Sequence, residues 1–242
     1  MIKTTTIVAM IGALTLGSAA QAPAQTPPTE RAGFASVSVG SQVQTRTITI
    51  NNTINVFGEN GVVAANQTVG TGIVFDATGG YRVWHKLVVA VGVSTFHGKG
   101  NVAAVAAIPD RLRVGVFTNV SLTASGLKQS DVALNFQAIW PISLTNRIDL
   151  ALFGGPSLIH VKQDILSVTV DQTTGIASTT TDAQSKTTGK AGSVGADLSY
   201  KFTDRLGAGV FVRYLGGEVD LPAAPKMKVG GVQVAGGIRF HF

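Results

Sequence analysis

The sequence lacks cysteine altogether and is poor in charge. Without cysteine there is no disulfide framework, and zinc–thiolate sites and thiol nucleophiles are excluded. Charged residues make up 13% of the chain, which is half of the roughly 25% found in an ordinary soluble domain. Glycine is abundant, whereas the helix formers Leu, Glu and Lys are scarce. This composition indicates a strand-rich chain that is too apolar to be disordered.

Long hydrophobic runs are also missing, apart from one near the N-terminus. Ile7–Gly17 is apolar, follows a positively charged start and precedes two small-x-small sites, which is typical of a signal peptide. We predict a signal peptide over residues 1–22, cleaved after Ala22 or Ala24, and a flexible lead-in over 23–32. A membrane anchor is the alternative, for which the run is short, and no later run approaches the roughly 18 apolar residues of a membrane helix.

What the sequence does contain, from residue 33 onward, is an alternation of apolar with small or polar residues. Eight such segments follow one another, and short connections between them alternate with long ones near 50–66, 98–128, 164–187 and 218–228. Residues 103–117 also alternate, as a strand extension or as an extra hairpin. At the C-terminus one face carries Val232, Val234, Gly236, Ile238, Phe240 and Phe242.

Alternation of this kind also fits a soluble sandwich or a lipocalin-like barrel with one wet face. Two features favour a membrane instead. The charge is too low to cover a soluble outer face with Lys and Glu, and the segments approach the roughly ten residues with which a tilted strand crosses the hydrocarbon. We therefore predict an all-β fold, a closed up-and-down antiparallel transmembrane β-barrel of eight strands over residues 33–242, with its apolar face toward lipid.

The opposite face of the segments carries charges of both signs. In a barrel this narrow, side chains fill the interior, and buried charges are tolerated when they pair. We predict an ionic network that plugs the lumen, with a narrow channel, either polar or opening toward the lipid, as the alternative. The predicted network consists of Asp76, Arg82, Asp131, Asp149, Asp197, Lys201, Arg213 and Arg239.

Aromatic residues are expected where the outward face crosses the membrane interface. The candidates for this girdle are Tyr81, Trp84, Trp140, Tyr200, Phe202 and Tyr214. With its export signal, its eight alternating segments and the terminal VQVAGGIRFHF, the chain resembles the small eight-stranded outer-membrane β-barrels of Gram-negative bacteria over about residues 33–242. The resemblance implies an outer-membrane location and a C-terminal signal for the barrel-assembly machinery. The residues that would carry that signal are Val234, Ile238, Phe240 and Phe242.

No motif for catalysis or metal binding is apparent. The four histidines form no metal-spaced pair, so we predict neither a metal nor a cofactor. Some members of the resembling family modify lipid A or cleave peptides, which requires a histidine with a serine or acidic partner at the outer rim. His97 near Ser94, and His160 near Asp164, are the candidates for such a pair, but no motif favours it. We predict a protein that is not an enzyme.

The formal net charge is +6, yet the basic residues are scattered and no aromatic–basic groove for nucleic acid is apparent. Five lysines near the long connections indicate either contact with anionic lipopolysaccharide or simple solvation. The expected function is structural or surface-interacting, through long extracellular loops and as a monomer. A channel for small or hydrophobic solutes is the alternative. The five lysines are Lys99, Lys128, Lys162, Lys186 and Lys190.

Overall fold

The computed structural model describes residues 32–171, 176–221 and 224–242, so the predicted signal peptide lies outside the described residues. These residues form nine β-strands, and among them no helix is long and apolar enough to cross a membrane. The strands are β1 Gly33–Gln42, β2 Arg46–Val56, β3 Glu59–Trp84, β4 Leu87–Pro109, β5 Phe117–Ser143, β6 Ile148–Val170, β7 Ala177–Lys201, β8 Leu206–Leu221 and β9 Ala224–His241.

Eight of the strands close into an antiparallel ring in the order β1-β9-β8-β7-β6-β5-β4-β3, and β3 pairs back to β1. At the seam, the Gly33 N–H donates to the Phe242 carbonyl and the Phe242 N–H donates to the Gly33 carbonyl, each at 2.9 Å. A closed ring has no edge strand, which is the condition for a sheet to stand in lipid. The closed up-and-down barrel of eight strands is therefore confirmed.

β2 continues β1 beyond the ring. β1 pairs with the half of β3 that ends at Trp84, and β2 pairs with the half that begins at Glu59. The β2–β3 turn consists of Phe57 and Gly58, with φ of 54° and 82°, and two positive φ values in succession match the twist of a two-residue hairpin. β1 and β2 together therefore occupy the place of a single first strand.

The long connections predicted near 50–66, 98–128, 164–187 and 218–228 are mostly strand, which corrects the expectation of long loops. β3 to β7 are 23–27 residues long, more than twice the roughly 9–11 that cross a bilayer. Residues 103–117 extend β4 to Pro109, and β5 begins at Phe117 after a turn. The physical reason is that these segments keep the alternation and the β-branched residues of a strand after leaving the membrane.

Four strands stand above the ring as what we call the projecting sheet: residues 46–56 of β2, 59–69 of β3, 100–109 of β4 and 117–127 of β5. Its inner face carries a buried cluster against which Val170 of β6 packs. Here the apolar side chains point inward, as in a soluble sheet. The buried cluster consists of Val56, Val63, Ala106 and Ile108.

A Gly-Gly-Pro run at 154–156 interrupts the β5–β6 ladder without shifting its register. Asn135 pairs with Ser157 and Ala138 pairs with Gly154, so only the residues between them lack a partner on that side. A Cβ on Gly155 would collide with the carbonyl oxygen of Phe136. Glycine is therefore required where the two backbones approach, and the inward–outward alternation of β6 continues past it.

Candidate functional site: the lumen and outer wall of the barrel

Arg213 of β8 is the centre of a buried polar cluster that crosses the lumen. It is 1% exposed, and its Nη1 donates to Asp76 Oδ2 of β3 at 2.8 Å. Its Nε and Nη2 donate to Gln233 Oε1 at 3.0 and 2.7 Å, and the Thr78 hydroxyl donates to Asp76 Oδ1 at 2.9 Å. A buried ion pair persists only with such additional hydrogen bonds. Because β3 and β8 are not neighbours, this contact fills the lumen rather than lining it.

Two further ion pairs lie toward the end of the barrel with the short turns, which we call the short-turn end. Arg239 pairs with Asp197, both largely buried. Lys201 Nζ lies 2.5 Å from Asp149 Oδ2, and its side chain is 35% exposed. The Arg239–Asp197 pair is therefore shielded from solvent, whereas the Lys201–Asp149 pair near the mouth is partly solvated. The two pairs are expected to contribute differently to stability for this reason.

Asp131 and Arg82, the other two charged residues of the predicted network, also occupy inward positions of their strands. Asp131 is 4% exposed and accepts hydrogen bonds from Gln129 Nε2 at 3.0 Å. Arg82 is half-buried near the short-turn end, on the same face of β3 as Asp76. The pairs Arg213–Asp76, Arg239–Asp197 and Lys201–Asp149 thus join six of the residues predicted from the sequence.

The network predicted from the sequence contains only charged residues, whereas the lumen also holds neutral polar side chains that hydrogen-bond to one another. Asn135 Nδ2 donates to the Ser94 hydroxyl at 3.1 Å, and the Ser157 hydroxyl donates to Asn135 Oδ1 at 2.8 Å. All three residues are buried. The same period-two alternation could have identified them, since each one occupies an inward position of its strand.

Above this polar cluster the lumen is filled by an apolar layer. Phe96 is the one aromatic side chain of the layer, and it is 3% exposed. Aliphatic side chains from several strands surround it, and the buried Asp131, which is paired with Phe96 and Val161 across the neighbouring strands, lies at the same level. The layer consists of Val69, Val74, Phe96, Ala133, Ile159, Val161, Leu215, Val219, Met227 and Val229.

The outer wall of the ring is a continuous apolar belt. On β8 the outward residues from Leu206 to Tyr214 are apolar, and the charged Glu218 lies beyond them. That stretch matches the roughly 9–11 residues of a membrane-crossing strand. Exposed by 42–67%, the members of the belt include Val37, Val39, Ile73, Phe75, Val89, Val91, Val93, Phe136, Leu152, Leu158, Val194, Leu198, Val210, Val212 and Ile238.

An apolar surface of this extent is not compatible with water, and a closed sheet is one of the two structures that lipid accepts. The chain is an eight-stranded transmembrane β-barrel. Its short turns and long hairpins are arranged as in barrels of the outer-membrane type, whose turns are short on the periplasmic side and whose connections are long outside the cell. The short-turn end is therefore periplasmic, and the projecting sheet is extracellular.

The predicted girdle residues all lie on the outer wall and are 41–70% exposed. Five of them gather at the periplasmic end, and Tyr214 lies at the other border of the belt. Arg147, in a periplasmic turn, donates to the Tyr200 hydroxyl at 3.5 Å, and this bond raises the pKa of the Arg147 guanidinium above its usual value. The five periplasmic residues are Tyr81, Trp84, Trp140, Tyr200 and Phe202.

The residues predicted to form the assembly signal lie on one face, three of them in β9 and Phe242 directly after it. Ile238, Phe240 and Phe242 are 63%, 46% and 61% exposed, toward lipid. Val234 is half-buried on the same face. The Phe240 and Phe242 ring centroids are 6.4 Å apart, so the two rings form one apolar surface at the periplasmic border.

A row of lysines follows the extracellular border of the belt. Lys99 pairs directly with Lys128 across β4 and β5, and Lys162 pairs directly with Lys186 across β6 and β7. Like charges opposite one another in a sheet are destabilising. Asp164, which accepts the Lys128 backbone N–H at 3.0 Å, is the acidic side chain within a groove of about 580 Å³ that three of these lysines share. We call Lys99, Lys128, Lys162 and Lys186 the lysine row.

The histidine pairs that would support an enzyme are not assembled. His97 is exposed on the outer wall, whereas Ser94 is buried in the lumen and bound to Asn135. His160 Nδ1 lies 2.9 Å from the Thr188 hydroxyl, and Asp164 receives the Lys128 N–H instead. Among the described residues no group of three His, Asp or Glu side chains is placed to hold a metal ion.

Comparison with known proteins finds similarity in structure only: no protein-family model and no curated protein sequence matches the chain. Neisserial surface protein A is 15% identical, with 87% of this chain and 96% of that one covered and a TM-score of 0.45. The outer membrane protein OprG from Pseudomonas aeruginosa is 13% identical (88% and 97% covered, TM-score 0.47), and Ail, the attachment invasion locus protein of Yersinia pestis, is 11% identical (86% and 99%, 0.38).

At these identities the likeness concerns the fold alone, and the fold of this chain is established by its own strand pairing. The similar structures are nevertheless of the kind that the sequence resemblance named, small outer-membrane barrels. The outer membrane of Gram-negative bacteria is where barrels of this construction reside.

Proposed function

We propose that the protein is a closed, non-conducting outer-membrane barrel whose work is done by its extracellular projection. The observation that carries this proposal is the filled lumen. The Arg213–Asp76 pair spans it at 2.8 Å, and the apolar layer around Phe96 lies above that pair. An ion that entered would have to break a buried pair and then pass closely packed, mostly apolar side chains.

The projection ends in a turn that is held in shape yet exposes apolar side chains. Asp110 Oδ1 accepts the Leu112 and Arg113 N–H groups at 2.8 and 3.2 Å, and Glu59 Oε2 accepts the Gly115 N–H at 3.2 Å. Leu112 and Val114 are 89% and 91% exposed. Aliphatic side chains presented on an ordered turn are a feature of contact surfaces, which supports a surface-interaction role.

Planar-bilayer recording of the refolded protein tests the closed lumen. We expect no steady ion current, because both barriers are built from buried side chains. A steady current through the wild-type protein would favour the channel alternative and contradict the proposal.

Adhesion of cells that express the protein tests the projection. Leu112→Ser combined with Val114→Ser should reduce attachment, whereas Leu144→Ser, which removes an exposed leucine (54% exposed) at the periplasmic end, should not. Equal attachment by all three strains, at equal surface levels, would contradict a contact role for the turn.

We further propose that the lysine row binds the phosphates of lipopolysaccharide. Its position directly above the apolar belt is the height of anionic headgroups, and an anion between its directly opposed lysines would relieve their mutual repulsion. We expect Lys99→Gln, Lys128→Gln and Lys162→Gln together to weaken binding of lipid A in nanodiscs by at least tenfold.

The control for this test removes the same charge from the periplasmic turns, with Lys86→Gln, Arg147→Gln and Arg205→Gln. Dephosphorylated lipid A should bind the wild-type protein as weakly as phosphorylated lipid A binds the lysine variant. Inorganic phosphate in excess reports whether a free anion suffices. Unchanged binding by the lysine variant would contradict the proposal.

A further inference from the structure

The projecting sheet has two free edges, one on each side. In the described part of the chain, β2 pairs with β3 alone, since the last bond between the first and last strands joins the Val43 N–H to the Val232 carbonyl at 2.9 Å. At the opposite side, residues 117–127 of β5 pair with β4 alone, because the β5–β6 ladder begins at Gln129 and Gln163. Below these points the ring is closed. β6 and β7 also extend beyond the ring, as a hairpin whose upper residues pair with each other, and Val170 of that hairpin packs against the inner face of the projecting sheet.

Above its base, neither edge carries lysine, proline or a bulge along its length; Arg46 and the bulge at Gly126 lie at the two bases. Proteins protect a free edge strand with lysines, prolines, bulges and short length. β2 is 11 residues long, and its only charged residue is Arg46 at the base. Residues 117–125 contain no charge and no proline, and the left-handed Gly126, with φ of 78°, lies just beyond them. Along residues 47–54 of β2 and 117–125 of β5, each edge is therefore an uncharged row of backbone donors and acceptors to which another strand can pair.

The two edges are complementary in direction and in height. β2 runs away from the ring and β5 runs toward it. One row of the sheet joins Thr49 to Asn66, Asn66 to Ala103 and Ala103 to Thr123, and these four residues are all exposed on the outer face. The β5 edge of one copy and the β2 edge of the next copy are thus antiparallel when both barrels stand the same way in one membrane. Two β2 edges would be parallel in that arrangement.

We infer that the projecting sheet is an assembly surface for a second copy of this chain, in which β5 of one copy pairs with β2 of the next. The partner is assigned to the chain itself because a single molecule presents both halves of the ladder. Contacts of this head-to-tail kind close into rings or continue as rows. The inference replaces the monomer expected from the sequence, and it does not depend on whether the lumen conducts.

Cysteine cross-linking in intact outer membranes tests the inference, and the absence of native cysteine removes any background. Differently tagged Thr49→Cys and Thr123→Cys proteins are co-expressed and oxidised. Cβ atoms opposite one another in an antiparallel pair are about 4.5–5.5 Å apart, close to the spacing of a disulfide. We expect at least ten times more mixed dimer than for Thr49→Cys with Ala103→Cys, an exposed control in the same row but away from the edge.

A panel makes the test independent of register. Cysteines at 47, 49 and 53 are combined with cysteines at 119, 121, 123 and 125, and the heat-modifiable mobility of each variant reports that its barrel has assembled. At least one combination should exceed the control tenfold. Mixed dimers at the control level in every combination would overturn the inference, as would equally strong self-cross-linking of Thr49→Cys alone, which would mean that β2 meets β2.

Discussion

Removing Asp76 should reveal how much of the barrel's stability depends on the pairing of charges in its lumen. Arg213 is 1% exposed, and Asp76 is its partner of opposite charge, at 2.8 Å. In Asp76→Ala the guanidinium keeps its two bonds to Gln233 but has lost the charge that balances it. Breaking a buried pair in this way costs about 3–5 kcal/mol, and we expect a loss of unfolding free energy in that range.

The assay is urea unfolding of the barrel in lipid vesicles, followed by the fluorescence of its two tryptophans, Trp84 and Trp140. Asp149→Ala is the matched control, because its partner Lys201 is 35% exposed and a solvated pair contributes about 0–1 kcal/mol. Asp76→Leu combined with Arg213→Met should recover most of the loss. A loss for Asp76→Ala no larger than for Asp149→Ala would refute the account of a dry ionic lumen.

Two further predictions concern single positions of the barrel. Gly209→Val should cost about 1–3 kcal/mol of unfolding free energy by overpacking, because a side chain there would collide with the Arg239 guanidinium. Gly236→Val is the control, since a Cβ at Gly236 would make only ordinary van der Waals contacts. Equal losses for the two variants would contradict the packing of the lumen. Deletion of Phe242 should lower the amount of protein at the cell surface far more than Phe202→Ala does, which removes an aromatic ring at the same border. Wild-type amounts at the surface without Phe242 would contradict an assembly role for this residue.

The ring could be predicted from the sequence because its outer and inner faces have opposite chemistry. Outward residues such as Val37 and Val210 must be apolar to meet lipid, and inward residues such as Asp76 must be small or polar to share a narrow interior. The inward–outward alternation therefore persists along the strands of the ring, and it determines the register in which neighbouring strands pair. The inward placement of Arg213 is a direct consequence of that alternation.

The projecting sheet could not be predicted in the same way. Outside the membrane the buried side chains on the inner face are mostly apolar, as Val63 and Ala106 are. The apolar face of a strand is therefore the outer one in the ring and the inner one in the projecting sheet. No feature of the sequence marks the residue at which this change occurs. The contacts across the lumen were also out of reach, because the bond of Arg213 to Asp76 joins residues 137 positions apart. The alternation places both residues inside, whereas only the closed ring decides that they meet.

The central claim is that the exposed apolar face of the ring touches lipid, and a pair of arginine substitutions tests it most directly. Val91, in the belt, and Val105, in the projecting sheet, are both 46% exposed on strand β4. Arginine on the lipid face near the bilayer midplane costs about 2–4 kcal/mol, whereas arginine at an exposed position in water costs about 0.5 kcal/mol or less. We expect urea unfolding in vesicles to show that Val91→Arg loses about 2–4 kcal/mol of unfolding free energy and that Val105→Arg loses almost none. Equal, small losses for the two variants would contradict the claim.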